Sequence, residues 1–204
     1  MSTAALRTKV LVSFAFSFVL LTVPYASASF TDIPSDHPQV IQIEWAQSHR
    51  IVRGYPDGSF GPAKQINRAE FTKIVVLSSL GYPQDATSFA LPFSDTTEGA
   101  WYVPYLSRAH EEAIILGYPD GTFRPSDSVN AAEAATILVR AWEVYVPEYP
   151  EGTAWYKPYV DVMISINGWP DTIKSFDQKI TRNEMIQMIH ELGITSAALS
   201  APEP

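Results

Sequence analysis

The sequence predicts an all-α, mainly helical domain built from three helix–loop–helix repeats. Three observations carry this. GYPDGSFGPAKQINRAEF at 54–71 returns as GYPDGTFRPSDSVNAAEA at 117–134, a shift of 63 residues, and again as GWPDTIKSFDQKITRNEM at 168–185, a further shift of 51. Apolar residues on both sides of this stretch recur at helical spacing. An N-cap residue stands three positions before a glutamate in every copy. A period this long marks a supersecondary unit that stacks on copies of itself.

Each unit opens on an F-x-D element: Phe30-Thr31-Asp32, then Phe93-Ser94-Asp95, with Val146-Pro147-Glu148 the best third candidate. A first helix follows. In the second copy Val103, Leu106, Ala109 and Ala113 share one helical face. Copy three aligns through Ala154-Trp155-Tyr156-Lys157-Pro158-Tyr159 with Ala100-Trp101-Tyr102-Val103-Pro104-Tyr105. From tryptophan to the turn glycine is 16 residues in copy two but 13 in copy three, which predicts a first helix shorter there by about one turn.

The turn Tyr-Pro-Asp-Gly comes next. Proline presets φ for the first central position, and Pro56, Asp57 and Gly58 are all residues that turns favour. The second helix has its own start signal: Asn67 with Glu70, Asn130 with Glu133, Thr181 with Glu184. Apolar residues then recur, as in Phe71, Ile74 and Val75 or Met185, Met188, Ile189 and Leu192. Such helices are too short to stand alone and must share one core.

Residues 1–28 read as a secretory signal peptide: basic Arg7 and Lys9, an apolar run from Val10 to Val23, and the small-residue site Ala26-Ser27-Ala28. The expected organisation is that leader, one domain over 29–195 (repeats at 30–82, 93–145 and 146–193), and a disordered tail at 196–204. Loss of Arg7 and Lys9 takes the formal net charge from −8 to −10. That argues against nucleic acid or an anionic membrane surface as partner. There is no cysteine, hence no disulfide.

Motifs of catalysis are missing: no G-x-S-x-G, no H-E-x-x-H and no cysteine nucleophile. His37, His49, His110 and His190 have no metal-ligand spacing, and each turn offers a single aspartate where a calcium loop needs several oxygens. The reading is a non-enzyme with no cofactor and no metal.

These motifs resemble the S-layer homology repeat, whose pattern is F-x-D, a helix opening near tryptophan, GYPDGTFRP and then T-R-A-E. The resemblance spans about residues 30–193. It implies a secreted cell-surface anchor in which three repeats form a pseudo-threefold domain around a central three-helix bundle. The first helices would form that bundle, with loops and second helices building three prongs. Grooves between prongs would bind anionic secondary cell-wall polysaccharide, often through a pyruvylated sugar. The glycan-binding residues so implied are Asp32, Arg68, Asp95, Trp101, Glu148, Trp155 and Arg182. The alternative is an interaction or surface-assembly subunit of the envelope with little glycan binding.

Residue chemistry bears on the arginines. Arg68 and Arg182 each follow an N-cap, where a cation opposes the helix dipole. An external carboxylate held jointly by the helix N-terminus and the guanidinium would explain them. So would a solvated side chain or a pair with Asp32 or Glu184. Copy two has Ala131 at this position and repeat one has Pro38 where the others have Trp101 and Trp155, so the three grooves cannot be equivalent. Position 131 is expected to face solvent or a groove.

Overall fold

The computed structural model describes residues 30–83 and 91–200. The expected leader, 1–28, lies outside the described residues, as do the last four residues of the expected tail. Six helices run in order: α1 (Val40–Ser48), α2 (Arg68–Ser79), α3 (Val103–Glu111), α4 (Ala131–Ala141), α5 (Lys157–Ser165) and α6 (Arg182–Ser200). Only isolated β-bridges, and no strands, occur among the described residues. Helix α6 passes the expected domain end at 195, so the expected tail is helical as far as Ser200.

The second helices start as their sequences dictate. Asn67 Oδ1 accepts from the Glu70 N–H at 2.8 Å and Asn130 Oδ1 from the Glu133 N–H at 2.9 Å. The Thr181 N–H donates to Glu184 Oε2 at 2.7 Å. The turns also form: Gly58 N–H donates to Tyr55 O, and Gly121 N–H to Tyr118 O, both at 3.0 Å. Ahead of each turn, Gly54 and Gly117 have φ of +71° and +73°, and a Cβ there would meet the Phe30 or Phe93 ring at 2.5 or 2.4 Å. The F-x-D phenylalanine therefore packs where only glycine leaves room.

Helices α2, α4 and α6 contact one another in the middle, while α3 packs on α2, α5 on α4 and α1 on α6. This reverses the expectation that the first helices form the central bundle. Burial gives the reason. Helix α4 buries nine of its eleven residues, whereas α3 buries only Leu106, Ser107 and Ala109. The first helices carry charges such as Arg108 and Asp161, which keep one face in water.

The repeats close on each other through main chain. Val129 N–H donates to Ile66 O at 3.1 Å, Ile66 N–H to Ile180 O at 3.3 Å, and Ile180 N–H to Val129 O at 3.1 Å. All three residues are fully buried. The same cycle caps the second helices. Arg68 and Ala69 N–H donate to Asp127 and Pro125, Ala131 and Ala132 to Gln178 and Phe176, and Arg182 and Asn183 to Lys64 and Pro62. The amides at these helix starts thus serve the neighbouring repeat. The expected joint grip of helix N-terminus and arginine on an external carboxylate does not exist in this arrangement.

Helix α5 has nine residues, as α1 and α3 do, so the three-residue deletion in repeat three does not shorten the helix. It removes the segment after it. Ile51 and Ile114 N–H donate to Ala46 O and Ala109 O; in repeat three the equivalent bond, to Met163 O, comes from Gly168 itself. The counterparts of Ile51-Val52-Arg53 and Ile114-Ile115-Leu116 are what is missing.

Candidate functional site

Two grooves lie on the outside of the assembly, each built from all three repeats. The groove on repeat one encloses about 500 Å³ and is lined by Tyr55, Glu70 and Lys73 of that repeat, Trp101 and Tyr105 of repeat two, and Arg182 of repeat three. The groove on repeat two encloses about 360 Å³, with Tyr118, Glu133 and Arg140 of that repeat, Trp155 of repeat three and Arg68 of repeat one. Trp101 and Trp155 are 52% and 60% exposed, so each indole presents surface to its groove, with Lys73 lying over the Trp101 ring. The contacts thus bring Arg182 together with Trp101, and Arg68 together with Trp155. No side-by-side reading of one repeat predicts either pairing.

Both arginines are buried as whole residues, 5% and 6% exposed. Arg182 Nε donates to Phe60 O, and Arg68 Nε to Phe123 O, at 2.8 Å each. Arg182 stacks between Tyr55 and Phe60, Arg68 between Tyr118 and Phe123. Their charge states then differ in compensation. Arg68 Nη1 pairs with Glu133 Oε2 at 3.3 Å. Arg182 has no carboxylate at salt-bridge distance among the described residues. Burial pulls its pKa down, with Tyr55, Glu70 and Asp32 opposing; a guanidinium remains charged through any such shift.

Tyr118 donates to Glu133 Oε1. Burial, then that hydrogen bond, push its phenol up to about 12. In groove two Arg68 is thus paired within the protein, while Arg140 donates only to Tyr159 Oη and has no carboxylate at salt-bridge distance among the described residues; Ile114, Ile115, Leu116 and Ile137 make the apolar part of the wall.

The F-x-D aspartates sit elsewhere. Asp32 accepts from Phe60 and Gly61 N–H at 2.7 Å each, and Asp95 from Phe123 and Arg124 N–H at 2.8 and 2.7 Å. Burial opposes ionisation of Asp32, but its two backbone bonds outweigh that and hold the carboxyl below its ordinary value. Neither lines a groove. Glu148 is exposed, and the equivalent amide, Lys174 N–H, donates to Gln178 Oε1 instead. Glu148 is thus not a third copy of the aspartate.

On repeat three the corresponding place has lost three things at once. Ala131 replaces the arginine, Pro38 replaces the tryptophan, and the lining segment is deleted. Ala131 is fully buried, against the expectation that it faces solvent or groove. Glu184 there is satisfied by neutral donors: Thr172 Oγ1 at 2.7 Å and Gln178 Nε2 at 3.1 Å.

Comparison with known proteins now meets this geometry. The S-layer homology domain family matches residues 29–72 and 92–135. These two segments resemble S-layer homology domains. The Cellulosome-anchoring protein of Acetivibrio thermocellus is 34% identical over 120 residues, 58% of this chain and 27% of that protein. Cell surface glycoprotein 1 of the same organism is 30% identical over 178 residues, 77% of this chain and 8% of the relative. The S-layer protein sap of Bacillus anthracis is 29% identical over 188 residues, 91% of this chain and 20% of the relative. The chain spans about a quarter or less of these relatives' length. S-layer homology domains place the protein at the cell surface.

Sequence reasoning missed Tyr55 and Tyr118, which it used only as turn residues, and Lys73, Arg53 and Arg140. The tyrosines stood in both copies of the motif. Lys73 and Arg140 lie six and ten residues past an N-cap, on a face that only inter-repeat packing opens to a groove.

Proposed function

We propose that this protein is a non-catalytic cell-envelope anchor that holds an anionic wall polysaccharide in the groove on repeat one. The observation that carries the reading is Arg182: it is buried and stacked on two rings, it has no carboxylate at salt-bridge distance among the described residues, and a half-exposed indole, Trp101, shares its groove. A carboxylate on the glycan, as on a pyruvylated terminal sugar, would pair with the guanidinium while a sugar face stacks on the indole. In this reading residues 146–193 are a divergent third S-layer homology repeat, the three repeats make one pseudo-threefold domain, and 1–28 is a cleaved leader. Groove two, with Arg68 already paired and Arg140 its one cation without a carboxylate among the described residues, is the weaker site. The third has lost binding.

Retention on purified wall sacculi, with and without removal of the secondary polysaccharide, tests this. Retention that vanishes with the polysaccharide is expected. Arg182→Ala should weaken binding at least tenfold, since a charge-assisted contact is worth roughly 1.5–3 kcal/mol. Binding that survives polysaccharide removal would favour a protein partner and sink the proposal.

A further inference from the structure

Groove one holds more positive charge than one carboxylate can use. Among the described residues Arg50, Arg53, Lys73 and Arg182 all line it, against the single carboxylate of Glu70. Glu70 is already engaged in the capping box of α2. None of the four cations has a carboxylate at salt-bridge distance among the described residues. Outside this groove three of the four described arginines pair with a carboxylate, Arg68 with Glu133, Arg108 with Glu112 and Arg124 with Asp120, and Arg140 does not. A chain of net charge −8 has ample acid to neutralise one groove, yet among the described residues only Glu70 brings a carboxylate to this one.

The local backbone sharpens the point. Arg50 has φ of +60°, and its counterparts Ala113 and Asn167 have +55° and +57°. The left-handed position is thus part of the fold, but nothing in it requires arginine; asparagine or glycine fits better there. Arg53 occupies the segment that repeat three has deleted, and in repeat two the same place is Leu116. Cations at 50 and 53 are particular to groove one.

We infer that groove one binds a polyanionic glycan, with one acidic group at Arg182 and at least one more at Arg50 and Arg53. This rests on the anchoring reading above and adds the charge number of the ligand. Arg53 Nη2 already donates to Tyr82 OH at 2.8 Å, which holds the side chain out along the groove wall. Lys73, beside the Trp101 and Tyr105 rings, lies among the aromatics.

The test is depletion of the protein by purified wall sacculi from about 0.05 to about 0.5 M NaCl, a range over which screening becomes severe. Four proteins are compared: wild type, Arg53→Gln, Arg50→Asn/Arg53→Gln, and the control Arg108→Gln, which removes a charge outside the groove. Asparagine at 50 copies repeat three and suits the left-handed backbone. The double variant should bind at least tenfold more weakly at low salt, with a shallower salt dependence, and Arg53→Gln should fall between it and wild type. The control should match wild type. A double variant equal to wild type in affinity and salt dependence overturns this inference alone, as does an equal loss in the control. Wild type that sacculi fail to retain even at low salt overturns the anchoring reading as well.

Discussion

The Nε of Arg182 donates to the carbonyl of Phe60 at 2.8 Å, joining residues 122 positions apart in the chain. Arg68 makes the same bond to Phe123. Each arginine is thus a strut between repeats before it is anything else. What distinguishes them is the far end of the side chain, paired with Glu133 in one case and without a carboxylate at salt-bridge distance among the described residues in the other.

Arg68→Ala should therefore cost stability more than binding. Removing one member of a buried pair leaves Glu133 uncompensated and costs about 3 kcal/mol or more. For a chain of this size that is about 6–12 °C in melting temperature. Calorimetric melting of Arg68→Ala beside Arg182→Ala checks the order; a smaller loss for Arg68→Ala would mean that the Glu133 pair contributes little.

Asp32→Asn should flatten the acid limb of the stability curve. The folded carboxyl sits below its unfolded value, so its contribution is fully present above about pH 4. It is lost as pH falls through the lowered folded value. Urea melts at neutral pH and at stepwise lower pH should show a steeper fall for wild type than for the variant. Parallel curves would assign the acid sensitivity to other carboxylates.

Ala131→Arg should not create a third site. Position 131 is fully buried, the tryptophan counterpart is Pro38, and the lining segment is gone. Forcing a long side chain into a packed place costs typically about 1–3 kcal/mol. A lower melting temperature with unchanged stoichiometry on sacculi is expected. Added stoichiometry would show that the arginine alone was missing.

A chain ending at Tyr145 should fail to fold. It lacks α5, which covers α4, and α6, which covers both α2 and α1. Circular dichroism should show no cooperative transition; a sharp one near that of the full chain would mean that two repeats suffice.

What could be read ahead of the structure was local. The capping pairs at Asn67, Asn130 and Thr181, and the Tyr-Pro-Asp-Gly turns, involve residues within a few positions of one another, and they form as their types require. What could not be read was decided between repeats. Burial of Ala131, the partnership of Arg182 with Trp101 and the central place of the second helices all depend on which copy faces which. Counting from Trp155 to Gly168 revealed a three-residue loss but not its place, because helix and following segment have the same length budget. Glu148 stands where the F-x-D pattern asks for a carboxylate, yet Gln178 supplies the oxygen that Lys174 needs.

The cycle through Ile66, Ile180 and Val129 is made of peptide groups alone. Any side chain compatible with burial can occupy those positions without altering it. Frame and recognition are therefore separately mutable: repeat one lacks the tryptophan, repeat two the arginine, and repeat three the aspartate and three residues of wall, yet each keeps its place in the circle. Lineages built on this plan can silence or retune one groove at a time while the other two go on working.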